Sequence, residues 1–196
     1  LLVDRSRSLT DAQTGAQADA VKAYLAATPR RQAQVIAFAR TAEVRTRGWA
    51  ASRTVARQLP SLLGGPTRNG SDVHAALTAA AGLLADVRGT RRVVLFTDEL
   101  TASAVPASVA AWQATLPAGT LLHVVALDEH GGSTLTHDDA VRFGELAASS
   151  GGMVRFRTDP SGSVATTERW HARNRLARQL DLLLDGNGGR PVLAEF

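Results

Sequence analysis

Short apolar runs rich in β-branched residues alternate along this chain with longer stretches in which apolar positions recur every three or four residues. That rhythm predicts alternating strands and helices building a mainly parallel sheet. Leu1–Val3 is the first strand, and Asp11–Ala27 reads as a helix with Ala16, Ala20, Val21, Tyr24 and Leu25 near one face. Gln34–Ala39 and Ala42–Arg47 follow with almost nothing between them, so they predict a hairpin that adds an antiparallel edge strand. Ser52–Leu63 predicts a helix that runs into the turn-rich stretch Gly64 to Gly70.

From Ser71 to about Val87 the spacing of Val73, Ala76, Leu77, Ala80, Leu83 and Leu84 is helical, with Ser71 or Asp72 placed to cap it. Arg91–Thr97 is the strongest strand, because its continuous Val93-Val94-Leu95-Phe96 core suits a central parallel strand covered on both faces. A helix at Pro106–Leu116, a strand at Leu121–Leu127, a helix at Asp138–Ser149, a strand at Met153–Thr158 and a last helix at Thr167–Leu184 complete the pattern. The fold class is therefore α/β. A three-layer, doubly wound, Rossmann-like arrangement is expected, with a mainly parallel six-stranded sheet, one antiparallel edge strand and helices on both faces.

Composition changes this picture little. A chain of 196 residues with a 44% hydrophobic and a 20% charged share has the makeup of an ordinary globular domain. No apolar run approaches the length needed to cross a bilayer. The sequence pI of about 10.8 invites a nucleic-acid reading, yet the formal net charge is only +4. All but one of the 22 Lys and Arg residues are Arg, whose high pKa lifts the pI without a large charge excess. These arginines are scattered and not interleaved with aromatics, so no nucleic-acid partner is expected. Cysteine is absent, which excludes thiolate catalysis and Cys-based zinc sites.

Candidate chemistry begins where the first strand runs out. Asp4-Arg5-Ser6-Arg7-Ser8 sets one carboxylate and two hydroxyls at alternate positions, and side chains at i, i+2 and i+4 can converge on one point. Hard divalent ions take such oxygen ligands. The same composition also describes a turn whose side chains bond their own backbone. Asp98 stands at the carboxyl end of the Val93–Thr97 strand, the edge where open α/β sheets place ligands, and Ser71 brings a hydroxyl to a helix entry. Thr67 is a competing hydroxyl in the preceding loop.

With these three segments in order, the chain resembles the von Willebrand factor type A (vWA) domain and its metal-ion-dependent adhesion site. The family pattern is Asp-x-Ser-x-Ser after the first strand, a Thr at the start of a central helix and an Asp after the fourth strand, usually followed by Gly. Here the positions read Asp4, Ser6, Ser8, Ser71 and Asp98. Ser71 keeps the hydroxyl of the usual Thr but not its methyl, and Glu99 puts a carboxylate where Gly is common. The resemblance implies that Ser6, Ser8 and Ser71 reach the ion directly, with Asp4 and Asp98 bonding partly through water. It implies Mg²⁺, with Mn²⁺ or Ca²⁺ as alternatives, and a protein partner that supplies an Asp or Glu carboxylate to the open position. An affinity switch linked to sliding of the last helix, here Thr167–Leu184, is implied as well.

The expected function is a metal-dependent adhesion or interaction module and not an enzyme, since no nucleophile–base pair, Gly-x-Ser-x-Gly elbow or phosphate-binding Gly-Lys loop is present. The alternative is a scaffold vWA domain of a multidomain protein like the vault protein/inter-alpha-trypsin group, its metal site degenerate or occupied in cis. Residues 1–186 are expected to form the domain and 187–196 the start of a linker or following segment, in a piece of a longer protein. No compartment follows from composition, with an extracytoplasmic or cell-surface setting as the expectation. Asp128-Glu129-His130 and His137-Asp138-Asp139 read as a solvated loop and a capped helix start, His74 as a surface or core-edge residue, and the arginines around Trp170 as the wet side of an amphipathic helix.

Overall fold

The computed structural model describes residues 1–98, 109–128, 146–152 and 154–158. The order of elements is β1 (Leu2–Asp4), α1 (Asp11–Ala27), β2 (Gln32–Ala33), β3 (Ile36–Phe38), β4 (Ala42–Val44), β5 (Ala50–Ala51), α2 (Ser52–Leu62), α3 (Val73–Leu84), β6 (Arg91–Thr97), α4 (Val109–Thr115), β7 (Thr120–Asp128) and β8 (Val154–Thr158). Residues 146–149 are also helical. The expected helix over Thr167–Leu184, Glu99, the loop acids after Asp128 and the segment 187–196 lie outside the described residues.

The six-stranded sheet runs β4-β3-β1-β6-β7-β8, and only the β3–β4 pair is antiparallel. This is the expected sheet. From β1 the chain winds outward to β3 and β4, then returns to the other side of β1 as β6, so the direction of winding reverses between β1 and β6. Ligand crevices form at the carboxyl ends of the two strands flanking such a reversal. A two-stranded antiparallel piece, β2 with β5, was not anticipated. Two residues per strand leave no periodicity to read, and only the return of the chain after β4 pairs them.

Alternation along the strands sorts the core into two layers. Val93 and Leu95 face α3 and α4, in a cluster with Leu2, Ile36, Leu77 and Trp112, while Val94 and Phe96 face α1 and α2, with Val3, Val21, Tyr24 and Leu59. Both faces are thus covered, which is why β6 tolerates four consecutive apolar residues. On α3 the buried positions Val73, Ala76, Leu77, Ala80 and Leu84 follow the helical period. His74 points to solvent. No helix among the described residues is long and apolar enough to cross a membrane.

At the end of the 146–149 turn, Gly151 has a φ of 79° and the next residue passes against β7. A Cβ on Gly152 would collide with the Leu122 carbonyl, a backbone group that cannot swing aside. Ser150 closes the same junction, its Oγ accepting from the Leu122 amide at 2.8 Å. Gly152→Ala is therefore expected to destabilise the domain by about 1–3 kcal/mol, the usual range for overpacking. Urea unfolding of the variant checks this, and an unchanged midpoint would exclude the close approach.

Candidate metal centre

The Asp4–Ser8 loop is fixed at both ends by its own sequence. β1 delivers Asp4, and Thr10 caps α1 through a reciprocal box in which the Gln13 amide donates to Thr10 Oγ1 at 3.2 Å and the Thr10 amide to Gln13 Oε1 at 2.9 Å. The middle of the loop is clamped by the turn-rich stretch before α3. The Arg7 amide donates to the Arg68 carbonyl at 3.0 Å and the Arg68 amide to the Arg5 carbonyl at 3.1 Å, a parallel bridge between Ser6 and Arg68. The choice between Ser71 and Asp72 as the α3 cap is also decided. Asp72 takes it, accepting from the Ala75 amide at 2.9 Å, which leaves the Ser71 hydroxyl to face β1.

Asp4, Ser6, Ser71 and Asp98 are all buried, at 0%, 1%, 2% and 2% exposure, whereas Ser8 is exposed. Asp4 is the hub. Its Oδ1 accepts from the Ser6 amide at 2.8 Å and lies 3.5 Å from Ser71 Oγ, and its Oδ2 accepts from Thr97 Oγ1 at 3.0 Å. Ser6 Oγ and Ser8 Oγ are 2.8 Å apart. The local turn and the convergent site are thus the same object, since Asp4 bonds the backbone of its own loop and meets side chains from two distant segments. The three segments that supply the expected oxygens all arrive at the β1–β6 edge.

Thr97 is a contributor that the motif does not name. The parallel register pairs Val3 with Phe96, so one step further sets Thr97 beside Asp4. A polar residue closing the apolar Val93–Phe96 run was the available signal. Gln17 is another, buried on α1 among apolar neighbours, with its Nε2 donating to the Phe96 carbonyl at 3.2 Å. It ties α1 to the end of β6 immediately before Thr97 and Asp98.

Burial and the nearby charge of Asp98 push the Asp4 carboxyl up to about 6, and the donors from Ser6 and Thr97 only partly offset this. All of its hydrogen-bond partners are neutral. Two carboxylates and three hydroxyls make an oxygen-only set, the chemistry that hard divalent ions prefer. The Ser6–Ser8 separation is close to the roughly 3 Å edge between adjacent ligands of a six-coordinate ion with bonds of about 2.0–2.1 Å. The donor set therefore fits such an ion. Among the described residues no group of three His, Cys, Asp or Glu side chains offers a competing site.

Residues 1–100, which include all five of these oxygen-bearing residues, match the von Willebrand factor type A domain family. Among solved structures, the chain is similar to an aerotolerance-related membrane protein of Bacteroides fragilis, at 16% identity over 92% of this chain and 94% of that one, with a TM-score of 0.67. It is similar to BatB of Bacteroides thetaiotaomicron at 12% identity over 92% and 97% of the two chains, with a TM-score of 0.64. The pilus adhesin SpaC of Lactobacillus rhamnosus GG, in its open conformation, aligns at 12% identity over 91% of this chain and 29% of that one, with a TM-score of 0.67. Such identities speak to the fold alone, and no curated protein matches the sequence. The family match over half of its length, together with the doubly wound sheet, shows that the chain belongs to the von Willebrand factor type A domain family.

Proposed function

We propose that this domain is a protein-binding module that grips an acidic side chain of its partner through a divalent cation, Mg²⁺ first and Mn²⁺ or Ca²⁺ as alternatives. Ser6, Ser8 and Ser71 would hold the ion, with Asp4 and Asp98 beside them. The observation that carries the reading is the convergence of two buried carboxylates and three hydroxyls, from three separate segments, on one sheet edge. Burying two like charges together is costly unless a cation neutralises them. A shell rich in neutral hydroxyls leaves part of the ion's charge unmet, and a partner carboxylate supplies it.

The chain's own residues divide the work. Asp4 is held by Ser6 and Thr97 and sets the position of the shell. Ser8, alone among the five in reaching solvent, lies on the side from which a partner arrives. Among the fold's neighbours is a pilus adhesin, which agrees with a binding role and not a catalytic one. Titration of a short peptide bearing one Asp, by calorimetry, tests the proposal. Binding is expected in Mg²⁺, lost in EDTA, and weakened at least tenfold by Asp98→Ala. Peptide binding that ignores both EDTA and Asp98→Ala would refute it.

A further inference from the structure

Arg5 stands between Asp4 and Ser6, and its side chain reaches the turn before α3, where Nη2 donates to the Gly65 carbonyl. There it lines a cavity of about 260 Å³ whose walls include Arg45, Arg68, Glu43, Phe38 and Gly65. The cavity lies on the same carboxyl edge of the sheet, since the Arg5 amide donates to the Phe38 carbonyl at 2.7 Å and Arg68 bridges to the Asp4–Ser8 loop. Three arginines and one glutamate are among the residues that line it.

Two of these guanidinium groups are pinned by consecutive carbonyls of the turn before α3. Arg5 Nη2 donates to the Gly65 carbonyl at 3.0 Å, and Arg45 Nη2 to the Gly64 carbonyl at 2.7 Å. Gly65 adopts a φ of 104°, which presents its carbonyl at little steric cost. Arg45 also pairs with Glu43 at 3.0 Å, the single ion pair found in this cavity among the described residues. Arg68, the third arginine of the lining, is exposed. Such an excess of oriented, incompletely neutralised forks is arranged to receive a carboxylate.

We infer that the Arg5–Arg45–Arg68 cavity is a second acid pocket, which takes another carboxylate of the same peptide partner whose first carboxylate meets the metal centre. The inference rests on the reading under Proposed function. It narrows the partner to a segment with two acidic residues close in sequence, because the pocket and the metal centre flank a single extended residue. Pinned arginines lose little freedom on binding, so the second acid adds affinity and not merely steering.

Calorimetry on the full chain in Mg²⁺ compares two blocked pentapeptides, Gly-Asp-Gly-Glu-Gly and Gly-Asp-Gly-Gln-Gly. The diacidic peptide is expected to bind about tenfold more tightly, the gain for one charge-assisted contact. Arg68→Glu, which keeps the backbone bonds that clamp the Asp4–Ser8 loop, should erase that tenfold and leave the monoacidic peptide unchanged. Glu43→Gln, which removes the competing carboxylate, should strengthen the diacidic peptide by about threefold, a change that no folding defect produces. Equal, Mg²⁺-dependent binding of both peptides overturns the second pocket and leaves the metal centre standing. Loss of both peptides in Arg68→Glu reduces it to general charge attraction. Binding of neither peptide defeats the metal-centre reading, and this inference with it. A sulfated oligosaccharide that binds in their place, and is lost in Arg68→Glu, overturns the assignment to a peptide.

Discussion

Asp4→Asn is expected to stabilise the metal-free domain at pH 7 by up to about 3 kcal/mol and to abolish its stabilisation by Mg²⁺. The first effect follows from the buried carboxyl, whose pKa rises from 3.8 to about 6 through burial and the Asp98 charge. A shift of about two units corresponds to roughly 3 kcal/mol. Because the folded value lies above the unfolded one, the contribution favours folding at low pH. It is fully present below about 3.8 and is lost as pH rises through about 6. Asparagine is neutral throughout, can still accept from the Ser6 amide and can donate toward Thr97, so the variant avoids that loss. His123 acts in the opposite sense. Burial and Arg92 lower its pKa to about 4, so its contribution is present above 6.5 and is lost as pH falls through 4. It is common to both proteins and cancels in their difference. Urea unfolding at several pH values, in EDTA and in Mg²⁺, checks both halves. A variant no more stable than the parent in EDTA at pH 7, with the same response to Mg²⁺, would remove the basis for the metal centre.

The second large effect belongs to the core beneath the site. Phe96→Ala should cost about 3–5 kcal/mol, a large share of the roughly 5–15 kcal/mol by which domains are stable. Phe96 is fully buried in the central strand, packed among Val3, Val21, Tyr24 and Val125. Its carbonyl also accepts from Gln17, so the strand end that carries Thr97 and Asp98 relaxes with it. Phe96→Leu, which keeps much of the volume, should cost clearly less. Denaturant midpoints for the two variants that agree within error would show that this layer is not close-packed.

Much of the sheet was legible because its signals are local. The apolar Val93–Phe96 run marked the central strand, the near-contact of the Ile36 and Ala42 segments marked the hairpin, and β7 and β8 fell where β-branched runs predicted them. Boundaries were less legible. The α3 pattern extends to Ser71 and Val87, but the helix runs from Val73 to Leu84 because Asp72 captures the Ala75 amide. The β2–β5 pair escaped notice because its strands are too short to show a period.

The candidate site divides in the same way. The sequence by itself determined which atoms are available: the oxygens of Asp4, Ser6, Ser8, Ser71 and Asp98, with the alternate spacing that lets Asp4, Ser6 and Ser8 converge. The tertiary structure alone decided that Thr97 joins them, that Asp72 and not Ser71 caps α3, and that Asp4 is buried beside Asp98 so that its carboxyl is pushed up to about 6. It also decided that Arg5, Arg45 and Arg68 share a cavity. Periodicity and capping act over a few residues and are written locally, whereas register between β1 and β6, desolvation and the meeting of like charges depend on segments 60 to 93 residues apart.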